Sequence, residues 1–228
     1  LYSNRGLLEE MVQHFEKCLT LEKGAKYKKD IEQLRETWWN RKFNAGVTAI
    51  KGEKFSEAIE EFQTAEMIIP NRADTYKVLG ICYVNMGQQE AGIEAYLKAV
   101  QLDSTDATIH TNLGIAYLNT NKPKKAKQCF LKVHELKPDD LGALEKLALS
   151  EQRLGNAAGA LEAAEKALKI DPEHRQATEY LGELYLQMGD LAAAEKQLAR
   201  LDKLCFWGCE ELDDLKSAVK KYRANNSS

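Results

Sequence analysis

The strongest constraint on the fold of this 228-residue chain is a small residue that returns every 34 positions. A glycine in the middle of a helix costs roughly 1 kcal/mol against alanine, because its unfolded backbone loses more freedom. A small residue at regular helical positions is expected where two helices cross and their backbones approach. The recurring positions are Gly46, Gly80, Gly114, Ala148 and Gly182.

Apolar residues elsewhere in the chain follow helical spacing, and almost no stretch alternates with the period of two typical of strands. The stripe of Ile59, Phe62, Ala65 and Ile69 is one example, and this spacing predicts an amphipathic helix. The predicted fold class is therefore all-α. A second small position holds Ala58, Gly92, Ala126, Ala160 and Ala194, and a mostly bulky position holds Phe62, Tyr96, Phe130, Ala164 and Leu198.

Self-comparison divides most of the chain into five units of 34 residues without any insertion. A glycine or asparagine at position 15 of a unit is suited to end its first helix in the left-handed conformation. Proline at position 32 ends the second helix, because proline lacks the backbone donor needed to continue it. The units are 39–72, 73–106, 107–140, 141–174 and 175–208; position 15 holds Gly87, Asn121, Gly155 and Gly189, and position 32 holds Pro70, Pro138 and Pro172.

The segments "LGICY" and "AGIEAYLKA" in the second unit, and "LGIAY" and "AKQCFLKV" in the third, resemble the tetratricopeptide repeat (TPR). The resemblance covers residues 39–208 and implies an α-solenoid of antiparallel helix pairs, the TPR superhelix. Some positions depart from the pattern of the family. Glu151 replaces an aromatic residue at position 11, and Ser104 and Phe206 replace proline at position 32.

The two ends of a stacked array expose apolar faces, which need covers with polar outer surfaces. Residues 209–224 place Leu212, Leu215, Val219 and Tyr222 on one stripe and predict a C-terminal capping helix, with Trp207 as a packing anchor. Residues 225–228 are expected to form a frayed tail. Residues 1–38 read as a partial repeat and a connecting helix; either residues are missing there, or 3–21 form one helix.

Cys205 and Cys209 flank Gly208, and a turn at this glycine would bring the two Cα atoms within disulfide reach in an oxidising compartment. Two reduced thiols packed under a terminal helix fit the sequence equally well. The segment 179–216 is similar to the ends of small exported bacterial repeat proteins. That similarity implies a bacterial source and an oxidised pair, and the location stays open between cytoplasmic and exported or periplasmic.

Bulk properties and motifs argue against several classes of function. The net charge of −3 gives no case for nucleic-acid binding, and no apolar stretch approaches the roughly 20 residues that membrane insertion needs. His14 and Cys18 offer two ligands on one helix face, whereas a closed zinc site needs four. With no phosphate-binding loop or nucleophile elbow, we expect no cofactor, no metal and no enzymatic activity in a soluble protein.

The resemblance implies that first helices line a concave groove, in which positions 2, 5, 9, 12 and 13 face a bound segment. Val47, Ile81 and Ile115 at position 9 would form a contiguous exposed apolar stripe, which is typical of interaction sites. Ile50, Val84 and Leu118 at position 12 either join the groove or pack against the neighbouring repeat. The predicted groove holds Phe43, Val47, Ile50, Lys77, Ile81, Val84, Asn85, Thr111, Ile115, Leu118, Asn119, Glu145, Leu149 and Arg153.

The predicted function is a non-catalytic protein–protein interaction scaffold or adaptor that binds an amphipathic helix or an apolar peptide segment in this groove. A family subgroup clamps peptide carboxylates with basic and amide side chains. Ile81 and Glu145 stand where polar or basic groups belong in that clamp, which argues against it. The alternative is a self-associating assembly protein, a homo-oligomer formed by helix swapping or end stacking.

Overall fold

The computed structural model describes residues 2–21 and 24–226, and within them every regular element is helical. The all-α prediction is confirmed. First helices α4, α6, α8 and α10 begin 34 residues apart, as do the second helices α5, α7, α9 and α11. The helices are α1 (Tyr2–Thr20), α2 (Lys28–Lys51), α3 (Phe55–Ile68), α4 (Ala73–Asn85), α5 (Gln89–Leu102), α6 (Ala107–Asn119), α7 (Pro123–Leu136), α8 (Leu141–Arg153), α9 (Ala157–Ile170), α10 (Arg175–Gln187), α11 (Leu191–Leu204) and α12 (Glu210–Asn225), with a 3₁₀ turn at Gly24–Tyr27.

The chain forms two compact units, Leu1–Ala116 and Tyr117–Ser228, which meet inside α6. Within unit 1, α2 packs on α3 and α4 packs on α5; within unit 2, α8 packs on α9 and α10 packs on α11. Left-handed residues such as Gly87 (φ 77°) and Asn121 (φ 53°) separate the two helices of a pair, as the sequence predicts. Short turns of this kind make neighbouring helices antiparallel.

The small residues of unit 1 make room for aromatic rings at the helix crossings. A Cβ atom on Gly46 would lie 2.6 Å from the ring of Phe62, and one on Gly80 would lie 2.5 Å from the ring of Tyr96. A Cβ atom on Gly92 would come within 3.2 Å of the Gly80 carbonyl oxygen. Position 8 therefore accommodates a ring of the partner helix, whereas position 20 lies where the backbones approach.

Trp39 anchors the beginning of unit 1, where α1 packs on α3. Its side chain is buried in a cluster with Val12, Ala65 and Ile68, and its indole Nε1–H donates to Thr75 Oγ1 over 3.2 Å. α1 continues from Tyr2 to Thr20 without a break, which agrees with the single-helix alternative. A long N-terminal helix thus covers the apolar side of α3.

Leucines and alanines make up most of the core of unit 2, and the alanines include Ala148 and Ala164, which are fully or almost fully buried. Glu151, which stands where the family has an aromatic residue, is also buried. Its carboxylate accepts from Lys127 Nζ at 2.7 Å and from Asn156 Nδ2 at 3.0 Å. Lys127 compensates the charge and Asn156 adds a hydrogen bond, since a buried carboxylate without such partners would be costly.

The helix α12 covers α10 and α11 at the end of unit 2. Leu212, Leu215 and Val219 of α12 are buried, and a Cβ atom on Gly182 would lie 2.6 Å from Leu215 Cδ2. The space beside this glycine is therefore filled by the terminal helix rather than by a ring of α11. Residues 227 and 228 of the expected frayed tail lie outside the described residues.

The sulfur atoms of Cys205 and Cys209 are bonded to each other, with the Cα atoms 5.6 Å apart. Cys18, Cys82 and Cys129 are free thiols, and the latter two are buried. Burial raises the pKa of the Cys82 thiol to about 11 and that of the Cys129 thiol to about 12. These two cysteines act as small apolar core residues.

Candidate functional site

The residues of the predicted groove differ in exposure. Leu118 is buried, at 6% exposure, so its packing role is the one that the structure supports. Asn85, Asn119 and Arg153 are exposed. The half-buried members are Phe43, Val47, Ile50, Lys77, Ile81, Val84, Thr111, Ile115, Glu145 and Leu149.

Several half-buried groove residues of unit 1 are held mainly by packing inside the unit. Phe43 stacks on Trp39, with ring centroids 4.6 Å apart, and lies 5.4 Å from the Phe62 ring. Ile50 packs against the core cluster of the unit. A Cβ atom on Gly92 would lie 2.5 Å from Val84 Cγ2, so Val84 also packs at the helix crossing.

Lys77 is held by ion pairs beside the predicted apolar stripe. Its Nζ lies 2.8 Å from Asp106 Oδ2 and 3.0 Å from Asp74 Oδ1. Burial alone would lower the pKa of Lys77, but the hydrogen bonds and charges of Asp106 and Asp74 raise it overall. The ammonium group is therefore neutralised within unit 1 and contributes no free positive charge for clamping a carboxylate.

The stripe of unit 1 consists of Val47, Ile81 and Ile115, one from each of three successive first helices, α2, α4 and α6. All three side chains are half-buried, and Val47 also packs partly against the core. β-branched side chains have little rotamer freedom to lose on binding. The three side chains therefore form an apolar surface with little side-chain mobility, and none of them is charged.

Two of the predicted groove residues of unit 2, Glu145 and Leu149, line a cavity of about 270 Å³. Glu145 and Leu149 contribute from α8, and Glu179, Tyr180 and Glu183 contribute from α10. The floor is made of small apolar residues: Ala148, Ala164, Ala167 and Ala177. Unlike the stripe of unit 1, this surface combines a small apolar floor with carboxylates.

The carboxylates of this cavity repel one another in a partly buried position. Burial, followed by the negative charges of Glu183 and Asp214, raises the pKa of Glu179 to about 7. Burial and the charge of Asp214 also raise the pKa of Glu183. Glu145 has a nearby partner, since its Oε1 lies 3.3 Å from His174 Nε2. The influence of Asp214 on Glu179 could not be predicted, because the two residues lie far apart in the chain.

Arg153, the last residue of the predicted groove, forms a hydrogen bond with the backbone of its own unit. Its Nη1 donates to the Leu118 carbonyl oxygen over 2.7 Å. Tyr180 on the opposite side of the cavity donates its hydroxyl to Gln152 Oε1 over 3.1 Å. These hydrogen bonds fix polar side chains of unit 2, and of the residues that make them only Tyr180 lines the cavity.

Models of the TPR family match three stretches of the chain. A model described as "TPR repeat" matches residues 80–121, and models described as "Tetratricopeptide repeat" match residues 107–140 and 153–204. Together with the helix pairs at 34-residue intervals, these matches show that the chain is a tetratricopeptide repeat protein. Its class is that of helical repeat proteins that bind proteins or peptides.

Solved structures of other proteins share this fold. A MamA protein is 23% identical, with a TM-score of 0.69 over 83% of this chain and 96% of the other. Pseudomonas aeruginosa pilF is 18% identical, with a TM-score of 0.63 over 84% and 91%. YrrB, described as a TPR protein with an unusual peptide-binding site, is 19% identical, with a TM-score of 0.71 over 86% and 97%. No curated protein sequence matches the chain.

None of the helices in the described ranges is both long and apolar enough to span a bilayer. The one group of three close metal-ligand side chains among the same residues is Cys205, Cys209 and Glu211. Both cysteines of this group are consumed by their mutual bond. His14 and Cys18 do not belong to such a group within the part of the chain that the structure describes.

Proposed function

We propose that this chain is a non-catalytic scaffold or adaptor that binds an amphipathic helix or apolar extended segment of a protein partner on the stripe of Val47, Ile81 and Ile115. The observation that carries the proposal is that these side chains are half-buried at equivalent positions of three successive first helices. Apolar side chains spaced in this way suit the helix-in-groove mode of recognition. YrrB, which shares the fold, is described as having a peptide-binding site.

The neighbouring contacts favour an apolar partner over a peptide carboxylate. Lys77, the basic groove residue closest in sequence to Ile81, is neutralised by Asp74 and Asp106. A carboxylate would therefore have to displace two existing partners of Lys77. An apolar side chain needs no such displacement and gains about 25 cal/mol for each Å² of surface removed from water.

The test uses a displayed library of random 16-residue peptides, selected on the intact chain. Selected peptides should carry apolar residues at helical spacing and bind the unaltered protein. Ile81→Asp should weaken their binding at least tenfold, because it places a charge in the stripe. The matched control is Leu97→Asp, since Leu97 is 41% exposed on the second helix of the same repeat.

Circular dichroism and thermal melting accompany the binding measurement. Loss of fold in Ile81→Asp would show that the side chain belongs to the core, and equal binding by both variants would reject the stripe. Light scattering distinguishes this proposal from the alternative function, a self-associating assembly protein. A concentration-dependent oligomer that Ile81→Asp abolishes would mean that a second copy occupies the stripe. The bacterial source and the compartment stay predictions.

A further inference from the structure

Phe206 and Trp207 form the most exposed large apolar surface among the described residues of unit 2. Phe206 is 83% exposed and Trp207 is 93% exposed. Their rings touch edge to face, with centroids 5.1 Å apart. The sequence predicted that Trp207 would be a packing anchor, and this prediction is wrong. Two adjacent aromatic side chains that pack on each other in water are typical of a binding surface rather than of scattered surface residues.

The backbone of this segment is fixed at both ends. Cys205 is 6% exposed and packs with Leu201 and Leu212 in the core cluster at the end of unit 2. Cys209, bonded to Cys205, packs against the same cluster. The aromatic residues therefore lie on a five-residue loop, 205–209, whose two ends are both anchored in the core.

The turn inside the loop directs the chain outward. The Gly208 N–H donates to the Cys205 carbonyl oxygen over 2.8 Å, and Gly208 has a φ of 86°, which side chains disfavour. α12 begins directly afterwards, at Glu210. The turn and the disulfide together hold Phe206 and Trp207 on the surface, outside the core. A partner would meet them already ordered, which reduces the entropy lost on binding.

The charges around the loop indicate the chemistry of the surface that it fits. Five carboxylates and two lysines lie between residues 202 and 216. Three of the acids, Glu210, Glu211 and Asp213, stand in the first turn of α12, and one lysine, Lys216, is paired with Asp202 at 3.5 Å. An anionic lipid surface would be repelled by this arrangement. Lysine or arginine side chains around an apolar cleft would complement it.

We propose that the loop 205–209 is a second docking element, which inserts Phe206 and Trp207 into an apolar cleft with a basic rim on a protein partner. This surface lies in unit 2 and is independent of the stripe in unit 1. Aromatic residues at the centre of an interface commonly carry most of the binding energy. The acidic first turn of α12 orients the basic rim around them.

The experiment uses a displayed library of cyclic peptides closed by a thioether, which dithiothreitol does not open, and in these peptides lysine or arginine alternates with apolar residues. Peptides selected on the oxidised, intact chain should bind it and shift the emission of Trp207 to shorter wavelength, measured as the difference from Trp207→Phe. Trp207→Ala and Phe206→Ala should each weaken binding at least tenfold. Met188→Ala, which truncates another exposed apolar residue of unit 2 (52% exposed), should leave binding unchanged.

Reduction of the sulfur bridge provides a second arm, because it frees the loop without removing a ring. Binding should weaken severalfold in dithiothreitol and return on reoxidation, while far-ultraviolet circular dichroism stays constant. Peptides that bind Trp207→Ala as well as the unaltered chain would overturn the proposal. So would binding to vesicles of phosphatidylcholine and phosphatidylglycerol, or a concentration-dependent dimer lost in Trp207→Ala. The stripe variant Ile81→Asp should bind these peptides normally, so the two proposals fail separately.

Discussion

The helix pair α4–α5 in unit 1 and the pair α8–α9 in unit 2 both have a small residue at repeat position 8. They differ at position 24, which is aromatic in the first pair and alanine in the second. In the first pair, Gly80 faces the ring of Tyr96, and a Cβ atom on the glycine would lie only 2.5 Å from that ring. In the second pair, the equivalent positions are Ala148 and Ala164, and both line a cavity of about 270 Å³. A ring fills the crossing in one unit, and a concavity opens beside it in the other.

In these two pairs, the residue at position 24 differs together with the surface above it. Where position 24 is aromatic, the core is filled and the first helix offers a shallow apolar surface such as the stripe. Where position 24 is Ala164, the carboxylates of Glu179 and Glu183 line the cavity. They are partly buried, and each carries a negative charge close to the other. The helix pair with the smaller side chain at position 24 is thus the one whose cavity is lined by carboxylates with raised pKa values.

The test with the largest expected effect on stability removes the ring of Phe62, which is fully buried beside Gly46. Phe62→Ala should lower the free energy of unfolding by about 4 kcal/mol, because it removes buried apolar surface and leaves a cavity. Urea denaturation followed by circular dichroism measures the loss. Ala164→Gly, at the same repeat position in unit 2, should cost only about 1 kcal/mol. Equal losses would show that the two units do not differ in this way.

A smaller test adds a methyl group to the crossing of unit 1. Gly80→Ala gains roughly 1 kcal/mol of helix propensity, but its Cβ atom must displace the Tyr96 ring, at an overpacking cost of roughly 1–3 kcal/mol. The net result should be a loss of about 1 kcal/mol in unfolding free energy. Gly142→Ala is the matched control, because its new Cβ would meet only Asp140 Oδ1 at 3.4 Å. We expect that control to be slightly stabilising, and stabilisation of both variants would contradict the tight crossing.

The smallest test concerns the acidic cavity of unit 2. Because the pKa of Glu179 is raised from 4.5 to about 7, the folded state binds more protons than the unfolded state between these values. Stability from this group therefore falls as pH rises through that window. Glu179→Gln should match the unaltered protein below pH 4.5 and exceed it above pH 7 by about 1 kcal/mol, a value reduced by solvent screening.

Thermal melting between pH 4 and pH 8 measures the effect of Glu179→Gln. Glu162→Gln is the control, because the hydrogen bond and charge of Lys166 lower the pKa of Glu162. This control should show no stabilisation at high pH. If the difference in melting temperature between Glu179→Gln and the unaltered protein did not depend on pH, the pKa of Glu179 would not be raised in the folded state.

The helix pairs could be predicted from the sequence because their determinants are local and repeated. The 34-residue return of Gly80, the left-handed position of Gly87 and the proline at Pro70 each constrain a short segment in a known way. The periodic pattern averages over five copies, so an exception such as Glu151 does not obscure it.

The surface was harder to predict because it depends on residues far apart in sequence. Burial and then Glu183 raise the pKa of Glu179, and Asp214 on the terminal helix adds to the shift. The burial of Leu118 depends on packing that position 12 does not decide by itself. The apolar stripe of the terminal helix predicts Trp207 as a packing anchor, but the side chain is 93% exposed. The flanking cysteines and Gly208 were the available signal that this segment turns outward.

The burial of two thiols has a practical consequence for covalent chemistry. A thiolate is the nucleophile toward a maleimide, and Cys82 and Cys129 combine inaccessible sulfur atoms with a pKa of about 11 and about 12. With Cys205 and Cys209 bonded, Cys18 on α1 is the remaining free thiol and is only half-buried. Among the described residues, Cys18 is thus the one attachment point for a dye or spin label, without any engineered cysteine.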